Sequence, residues 1–307
     1  MAAQESPVVV MPVDGSRLSE PALPMARCIA ETFAAPLHRV SVSVPDAPLR
    51  RASQEAHRDA LALMGGPAAP RDEYRTWSSQ RPPVASRADD GVGVVRADGD
   101  ADIVLRGDSV VAALLEYTAS RPRAIVCLTT RAYGGLHRRV VGSTSEQLLL
   151  RAACPVVAVG PSFDTGRTRW CPRTILLAAG GALPPQTVPL VAEWARRFRA
   201  RTAVARVELG TPFGRAYDQD ELAEPEIEQE AAQLAARLSA HGVLSEPHTL
   251  RGGPIVTRLL EFAAELEPPV LIAAPIGSRS GRIPTDVTYQ LLQRSPWPVL
   301  ACVGRAS

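Results

Sequence analysis

The chain carries the same pattern twice. The thirteen residues Leu105–Tyr117 (LRGDSVVAALLEY) align with Leu250–Phe262 (LRGGPIVTRLLEF), with seven identities at an offset of 145. Further on, Gln147–Val156 (QLLLRAACPV) aligns with Gln290–Val299 (QLLQRSPWPV), with six identities in ten at an offset of 143. Two such matches in the same order mark a duplicated domain. A length of 307 residues suits two domains of about 150 residues each. The boundaries follow: a first domain over 1–160, a linker over 161–172 and a second domain over 173–307. The drop from 145 to 143 makes the second copy shorter by a net two residues between the two matches.

Each copy alternates strand and helix. In the first, Val8–Val13 is a continuous apolar run that breaks at Asp14-Gly15-Ser16, and Leu23, Ala26, Ala30 and Phe33 have the spacing of a helix packed on a sheet. Val40, Val42 and Val44 alternate as a second strand, and Arg50–Met64 reads as a second helix. The stretch from Pro70 to Asp100 is poorly patterned and reads as surface loop. Strands over Ile103–Leu105, Ala124–Leu128 and Pro155–Val159 alternate with helices over Ser109–Ser120 and Ser143–Ala152. The second copy repeats the series: strand Thr174–Ala178, a helix from Val188, strand Ala203–Val207, helix Ile227–His241, then the matched segments. Strictly alternating elements imply parallel sheets covered by helices on both faces, two tandem Rossmann-like domains. A ligand of such a fold sits beyond the carboxyl ends of the strands, where the strand order reverses. The apolar closing strands, Pro155–Val159 and Pro298–Val303, predict a pseudo-dimer of the two copies within one chain.

Composition removes whole mechanisms. All 34 basic residues are Arg, so there is no lysine for a Schiff base, a pyridoxal phosphate anchor, a P-loop or a kinase strand. The net charge of +2 gives no electrostatic case for nucleic acid or a membrane surface, and no apolar run approaches 18 residues. The N-terminal segment has no secretory pattern, and the expected location is the cytoplasm. Five scattered cysteines without a CxxC spacing read as buried thiols, and five histidines without HxH or HExxH give no zinc site.

Two strand-end loops carry candidate chemistry. Asp14 follows the first strand, where a carboxylate can accept hydrogen bonds from ribose hydroxyls; an Asp there also serves simply to make the turn. The second is Thr129-Thr-Arg-Ala132, nine residues (Tyr133–Val141), then Gly142-Ser143-Thr144. Gly142 allows close backbone approach, and the helix after it offers free N–H groups to an anion. Ser143 and Glu146 also have capping-box spacing, which would only stabilise the helix. Tyr133-Gly134-Gly135 would let the loop fold over phosphates, with His137, Arg138 and Arg139 adding positive charge.

The strand ending PVDGS, the LRGDSVVAALLEY segment, the GGLHRRVVGST loop and the closing CPVVAVG resemble the universal stress proteins. The resemblance runs through both halves and identifies a tandem member. It implies two adenine-nucleotide α-hydrolase-like domains, each a five-stranded parallel sheet with helices on both faces, and pairing through the final strand. Some members bind ATP through G-x2-G-x9-G-S/T; others lack the motif. Position by position, the resemblance implies a nucleotide site at Pro12, Val13, Asp14, Val42, Leu128, Thr129, Ala132, Gly142, Ser143 and Thr144, with Mg accompanying ATP. Thr129 and Ala132 stand where the motif has glycine. If those backbones need positive φ, each Cβ costs on the order of 1 kcal/mol, and exchanging both for glycine tightens binding.

In the second copy no acid lies near Ala179 or Gly180, the counterparts of Asp14. Thr129 and Ala132 fall on Ala274 and Gly277 at the 145 offset, and Gly142-Ser143 becomes Thr285-Asp286, whose carboxylate repels phosphate. The expected function is a nucleotide-binding stress-response or regulatory protein with one weakened site, in the first domain. It is not an enzyme beyond slow ATP hydrolysis: no HxGH or SGGxDS motif is present. The alternative is a structural or interaction protein of the same family that binds no nucleotide, both sites having lapsed. The partners expected are an adenine nucleotide and, beyond the pseudo-dimer within the chain, a second copy in a homodimer.

Overall fold

A computed structural model of the chain describes residues 7–14, 17–44, 93–97, 100–130, 143–163, 170–179, 183–208, 224–276 and 287–302. The helix expected over Arg50–Met64 lies outside these residues, as do most of Pro70–Asp100 and the centre of the linker. Eleven strands form one sheet. In chain order they are β1 (Val8–Pro12), β2 (Leu37–Ser43), β3 (Gly93–Ala97), β4 (Asp100–Arg106), β5 (Ala124–Thr129) and β6 (Val156–Val159) in the first copy, then β7 (Thr174–Ala178), β8 (Arg201–Glu208), β9 (Ser245–Arg251), β10 (Val270–Pro275) and β11 (Val299–Cys302). The α-helices are α1 (Leu23–Phe33), α2 (Val110–Ala119), α3 (Ser143–Arg151), α4 (Thr187–Phe198), α5 (Glu224–Ala240), α6 (Ile255–Glu265) and α7 (Val287–Arg294), with a 3-10 helix over Arg17–Ala22.

The strand order is β3-β4-β2-β1-β5-β6-β11-β10-β7-β8-β9. Within each copy five strands run parallel in the same order, third-second-first-fourth-fifth, and the order reverses between the first and fourth: between β1 and β5, and between β7 and β10. β3 departs from the sequence reading. It lies inside the stretch expected to be loop and pairs antiparallel with β4 as an edge strand, Val94 opposite Ile103. Its residues, GVVRA, include one short apolar pair, too little for periodicity to register, and the neighbouring strand supplies the rest.

The two copies meet where β6 and β11 pair antiparallel: Val156 with Ala301, Val157 with Leu300, Ala158 with Val299. At the 143 offset Leu300 is the counterpart of Val157, and Val299 that of Val156. Each residue therefore faces the counterpart of its neighbour in reverse, and Val157 faces its own. That reciprocity is the signature of a two-fold interface, here within one chain. A second self-pairing lies above it: Phe33 at the end of α1 and Phe198 at the end of α4 have ring centroids 6.0 Å apart, with Trp194 5.3 Å from Phe33. Both helices end alike, in a left-handed residue, Ala34 (φ 49°) and Arg199 (φ 54°), and in both the next N–H donates to a carbonyl one turn back.

Alternation along the strands splits the core by face. Val8 and Val10 join Leu114, Leu148, Leu259 and Leu291 on one side; Val9 and Met11 join Ile29, Phe33, Trp194 and Leu238 on the other. Both clusters draw on both copies, so burial holds the copies together on each face. The linker joins in: Phe163 and Trp170 are buried, with rings 4.6 Å apart. The scattered cysteines do not all remain thiols. Cys28 on α1 and Cys171 form a disulfide with Cα atoms 5.7 Å apart, which overturns the reading of all five as buried thiols. Their separation of 143 positions hides that proximity from any local spacing rule.

Gly160 closes β6 against the second copy. A Cβ at this position would run into the carbonyl oxygen of Leu292 on α7, a backbone atom that cannot swing aside. Gly160→Ala is therefore expected to destabilise the protein by about 1–3 kcal/mol, the usual cost of overpacking. Urea unfolding of wild type and variant measures it, and an unchanged midpoint would show that the junction yields.

Candidate functional site

The crevice at the first copy's order reversal is built from the ends of β1 and β5. β1 pairs with β5 from Val8 opposite Ala124 to Val10 opposite Val126, which carries the residues after β1 alongside the end of β5. The Val13 N–H donates to the Val40 carbonyl (2.8 Å), so the chain leaves β1 still clamped to β2, and Asp14 emerges exposed. Pro12 and Val13 are half-buried, Val13 against the α1 side of the core. Val42, on β2 opposite Leu105, is half-buried against the other face. Leu128 is 3% exposed, and its side chain belongs to the core.

The end of β5 is fastened in two directions. The Thr129 hydroxyl donates to the Ser19 carbonyl (3.3 Å) in the 3-10 helix that follows Asp14. The Ser145 hydroxyl, from the first turn of α3, donates to the Thr129 carbonyl (3.3 Å). One residue thus ties the acid's segment, the strand end and the start of α3 into a single frame. Ser143 opens α3 and Thr144 is half-buried behind it. Ala132, Gly142, the Tyr133–Gly135 segment and His137, Arg138 and Arg139 lie outside the described residues. Among the described residues no cluster of three or more His, Cys, Asp or Glu is placed to hold a metal ion.

The steric argument about Thr129 does not hold. Thr129 is the last residue of β5, in register with Val159, and the only described non-glycine residues with positive φ are Ala34 and Arg199. An extended backbone accepts a β-branched side chain readily. The motif comparison could say which residue type stood at the position but not which dihedral the strand imposed.

The same fastening recurs in the second copy, and it corrects the alignment there. The Thr288 hydroxyl donates to the Pro275 carbonyl (2.5 Å), and the Ile276 N–H donates to the Cys302 carbonyl as the Thr130 N–H does to that of Val159. Pro275, not Ala274, is therefore the counterpart of Thr129. The shift arises in the turn between α6 and β10, one residue longer than its counterpart: Val270 lies 8 positions after Phe262, Ala124 only 7 after Tyr117. From strand-end carbonyl to helix hydroxyl the separation is 16 positions in the first copy and 13 in the second, so the loop is three shorter, and the longer turn brings the net difference to two. The Ala179 N–H donates to the Ala205 carbonyl as that of Val13 does to Val40, which makes Gly180 the counterpart of Asp14 by chain order. Gly180 and Thr285-Asp286 lie outside the described residues.

The sequence model of the universal stress protein family matches residues 7–160. The chain belongs to the universal stress protein family. The crystal structure of a universal stress protein from Archaeoglobus fulgidus DSM 4304 is similar over 99% of this chain and 100% of its own, with a TM-score of 0.58 at 13% identity. A protein of unknown function from Pseudomonas aeruginosa PAO1 is similar over 98% of this chain and 93% of its own, with a TM-score of 0.55 at 14% identity. At those identities the likeness is one of fold, and it extends through the second copy, which the family model does not reach. No curated protein matches the chain at a significant level.

Burial favours the neutral form of the three free thiols. Burial pushes Cys127 and Cys302 up to about 12, and chiefly burial pushes Cys154 up to about 11, from 9.0. A thiol that stays neutral when folded but ionises when unfolded contributes stability that is complete below pH 9 and lost as pH climbs toward 12. Wild type should therefore lose stability faster than Cys302→Ala between pH 8 and 10.5, by about 2 kcal/mol more. Urea midpoints across that range test it; parallel curves would mean the thiol ionises in place.

Because Thr129 sits in ordinary strand geometry, Thr129→Gly is expected to cost about 1–2 kcal/mol through the lost bond to Ser19 and the looser backbone. It should bring no gain in ATP affinity. Denaturant unfolding and calorimetric titration read the two effects, and tighter binding by the glycine variant would restore the steric argument.

Proposed function

We propose that the protein is a nucleotide-binding stress-response or regulatory protein with a single adenine-nucleotide site, in the first copy, and that ATP is its ligand. The observation that carries this reading is the frame around Thr129. It joins the segment after Asp14 to the start of α3, and so sets an exposed carboxylate and a helix N-terminus on the two sides of one crevice. A carboxylate suits ribose hydroxyls, and the N–H groups and dipole of a helix start suit phosphate. The second copy keeps only the bond from helix hydroxyl to strand-end carbonyl; Pro275 has no hydroxyl to match the tie from Thr129 to Ser19, the loop is shorter and a glycine stands in the place of the acid, which supports one site and not two.

In this reading Pro12, Val13 and Val42 bound the adenine and ribose side, and Thr129, Ala132, Gly142, Ser143 and Thr144 the phosphate side, with Mg accompanying the phosphates. The protein binds and does not turn over substrate beyond slow hydrolysis. Ligand occupancy would then act by stabilising the first copy, since anything that binds only the folded state does so by mass action. No described helix is long and apolar enough to cross a membrane.

Calorimetric titration with ATP and Mg should give one site per chain. Asp14→Ala should weaken it roughly tenfold, about 1.4 kcal/mol, a modest loss because the carboxylate is exposed. Binding unaffected by Asp14→Ala would move the site elsewhere. No binding in either protein would favour the alternative, an interaction protein that keeps the fold alone.

A further inference from the structure

Cys28 and Cys171 stand apart from the other three cysteines in bonding, and Cys171 also in access. Their Cα atoms are 5.7 Å apart, in the middle of the range a disulfide spans, and the structure joins them. Cys28 is 4% exposed on α1, whereas Cys171 is exposed at the surface, three residues before β7. Cys127 and Cys302 are buried and Cys154 is half-buried, and all three are free thiols. An incoming thiol or disulfide therefore meets one sulfur first, that of Cys171.

The position of the bond matters more than its existence. Cys171 belongs to the linker, and its neighbour Trp170 is 2% exposed, packed on Phe163 in the cluster that α1 and α4 share. The bond fastens the end of the linker to the helix that lies against the second copy's α4 through Phe33, Trp194 and Phe198. Without it the linker would be held there by noncovalent contacts alone.

We propose that Cys28 and Cys171 form a reversible redox site, with a low-molecular-weight disulfide as oxidant, whose closure pins the linker to α1. In closure the Cys171 thiolate attacks the oxidant, forming a mixed disulfide and releasing one thiolate. The Cys28 thiolate then attacks the Cys171 sulfur and expels the second. Two protein thiols become one disulfide, and the oxidant takes up the two electrons and leaves as two thiols. Opening reverses the order, with the attack falling on exposed Cys171 and Cys28 as leaving group.

The test uses the full chain, incubated with dithiothreitol or with oxidised glutathione, then alkylated in denaturant and weighed. Oxidised protein should show three alkylated cysteines, the free thiols, and reduced protein all five. A nonreducing tryptic digest of the oxidised form should contain the peptide Cys28–Arg39 linked to Trp170–Arg173. Native tryptic cleavage after Arg167 or Arg169 should accelerate several-fold on reduction in wild type. In Cys171→Ser it should be fast with or without reductant. Five alkylated cysteines under both conditions, or three under both, would overturn reversibility. A full change from three to five with cleavage rates unmoved would overturn the pinning of the linker.

Discussion

Three residues of β6 pair antiparallel with three of β11, and the rest of the architecture depends on that short ladder. Each copy ends in a strand whose outer edge is apolar and unpaired within its own sheet. Such an edge is a template for association, and the most economical partner is the identical edge of the other copy. Because equivalent strands pair antiparallel, the result is a two-fold arrangement, with Val157 opposite Leu300 on its axis. The ladder makes one sheet of eleven strands from two sheets, and the helices above and below then pack across the seam. The contact of Phe33 with Phe198 follows from the same symmetry, as does the sharing of both core clusters by both copies.

Duplication followed by fusion in one chain leaves the two crevices free to differ. The strand-end fastening, a helix hydroxyl donating to the last carbonyl of the fourth strand, is present in both copies although Ser145 has become Thr288 and Thr129 has become Pro275. That bond serves the fold, because it docks a helix to the sheet wherever the loop between them goes. In the proposed reading the loop and the acid serve a ligand. They are where the copies diverge, by three residues of length and by Asp14 against Gly180. A retained helix-to-strand bond beside an altered loop is the pattern the proposed single site predicts, with packing required of both halves and binding of one.

The linker belongs to the core as well. Phe163 and Trp170 bury themselves on the α1 face, and the bond from Cys171 to Cys28 adds a covalent tie at the point where the chain enters β7. Nearby, Glu267 receives Arg173 (2.8 Å) and Arg201 (2.6 Å); the hydrogen bond from Arg173 leads in holding its carboxyl below the usual range. The pair is exposed and screened, and it orients the entry to β7 more than it stabilises it.

How much of this was legible beforehand depends on the range of the forces involved. The duplication, the alternation of strand and helix, the parallel sheets and Asp14 at a strand end are all local or periodic, and the sequence alone determined them. β3 was missed because an edge strand draws its order from its neighbour and not from its own five residues. The dihedral of Thr129 was missed because motif matching reports residue types, while the strand register decides φ. The disulfide was missed because its halves lie 143 positions apart. The three-residue difference between the loops emerged only when equivalent hydrogen bonds in the two copies could be matched. Pairing partners, strand register and the proximity of distant side chains are set by the closing of the whole sheet, so they were decided by the tertiary structure, where contacts remote in the chain become neighbours.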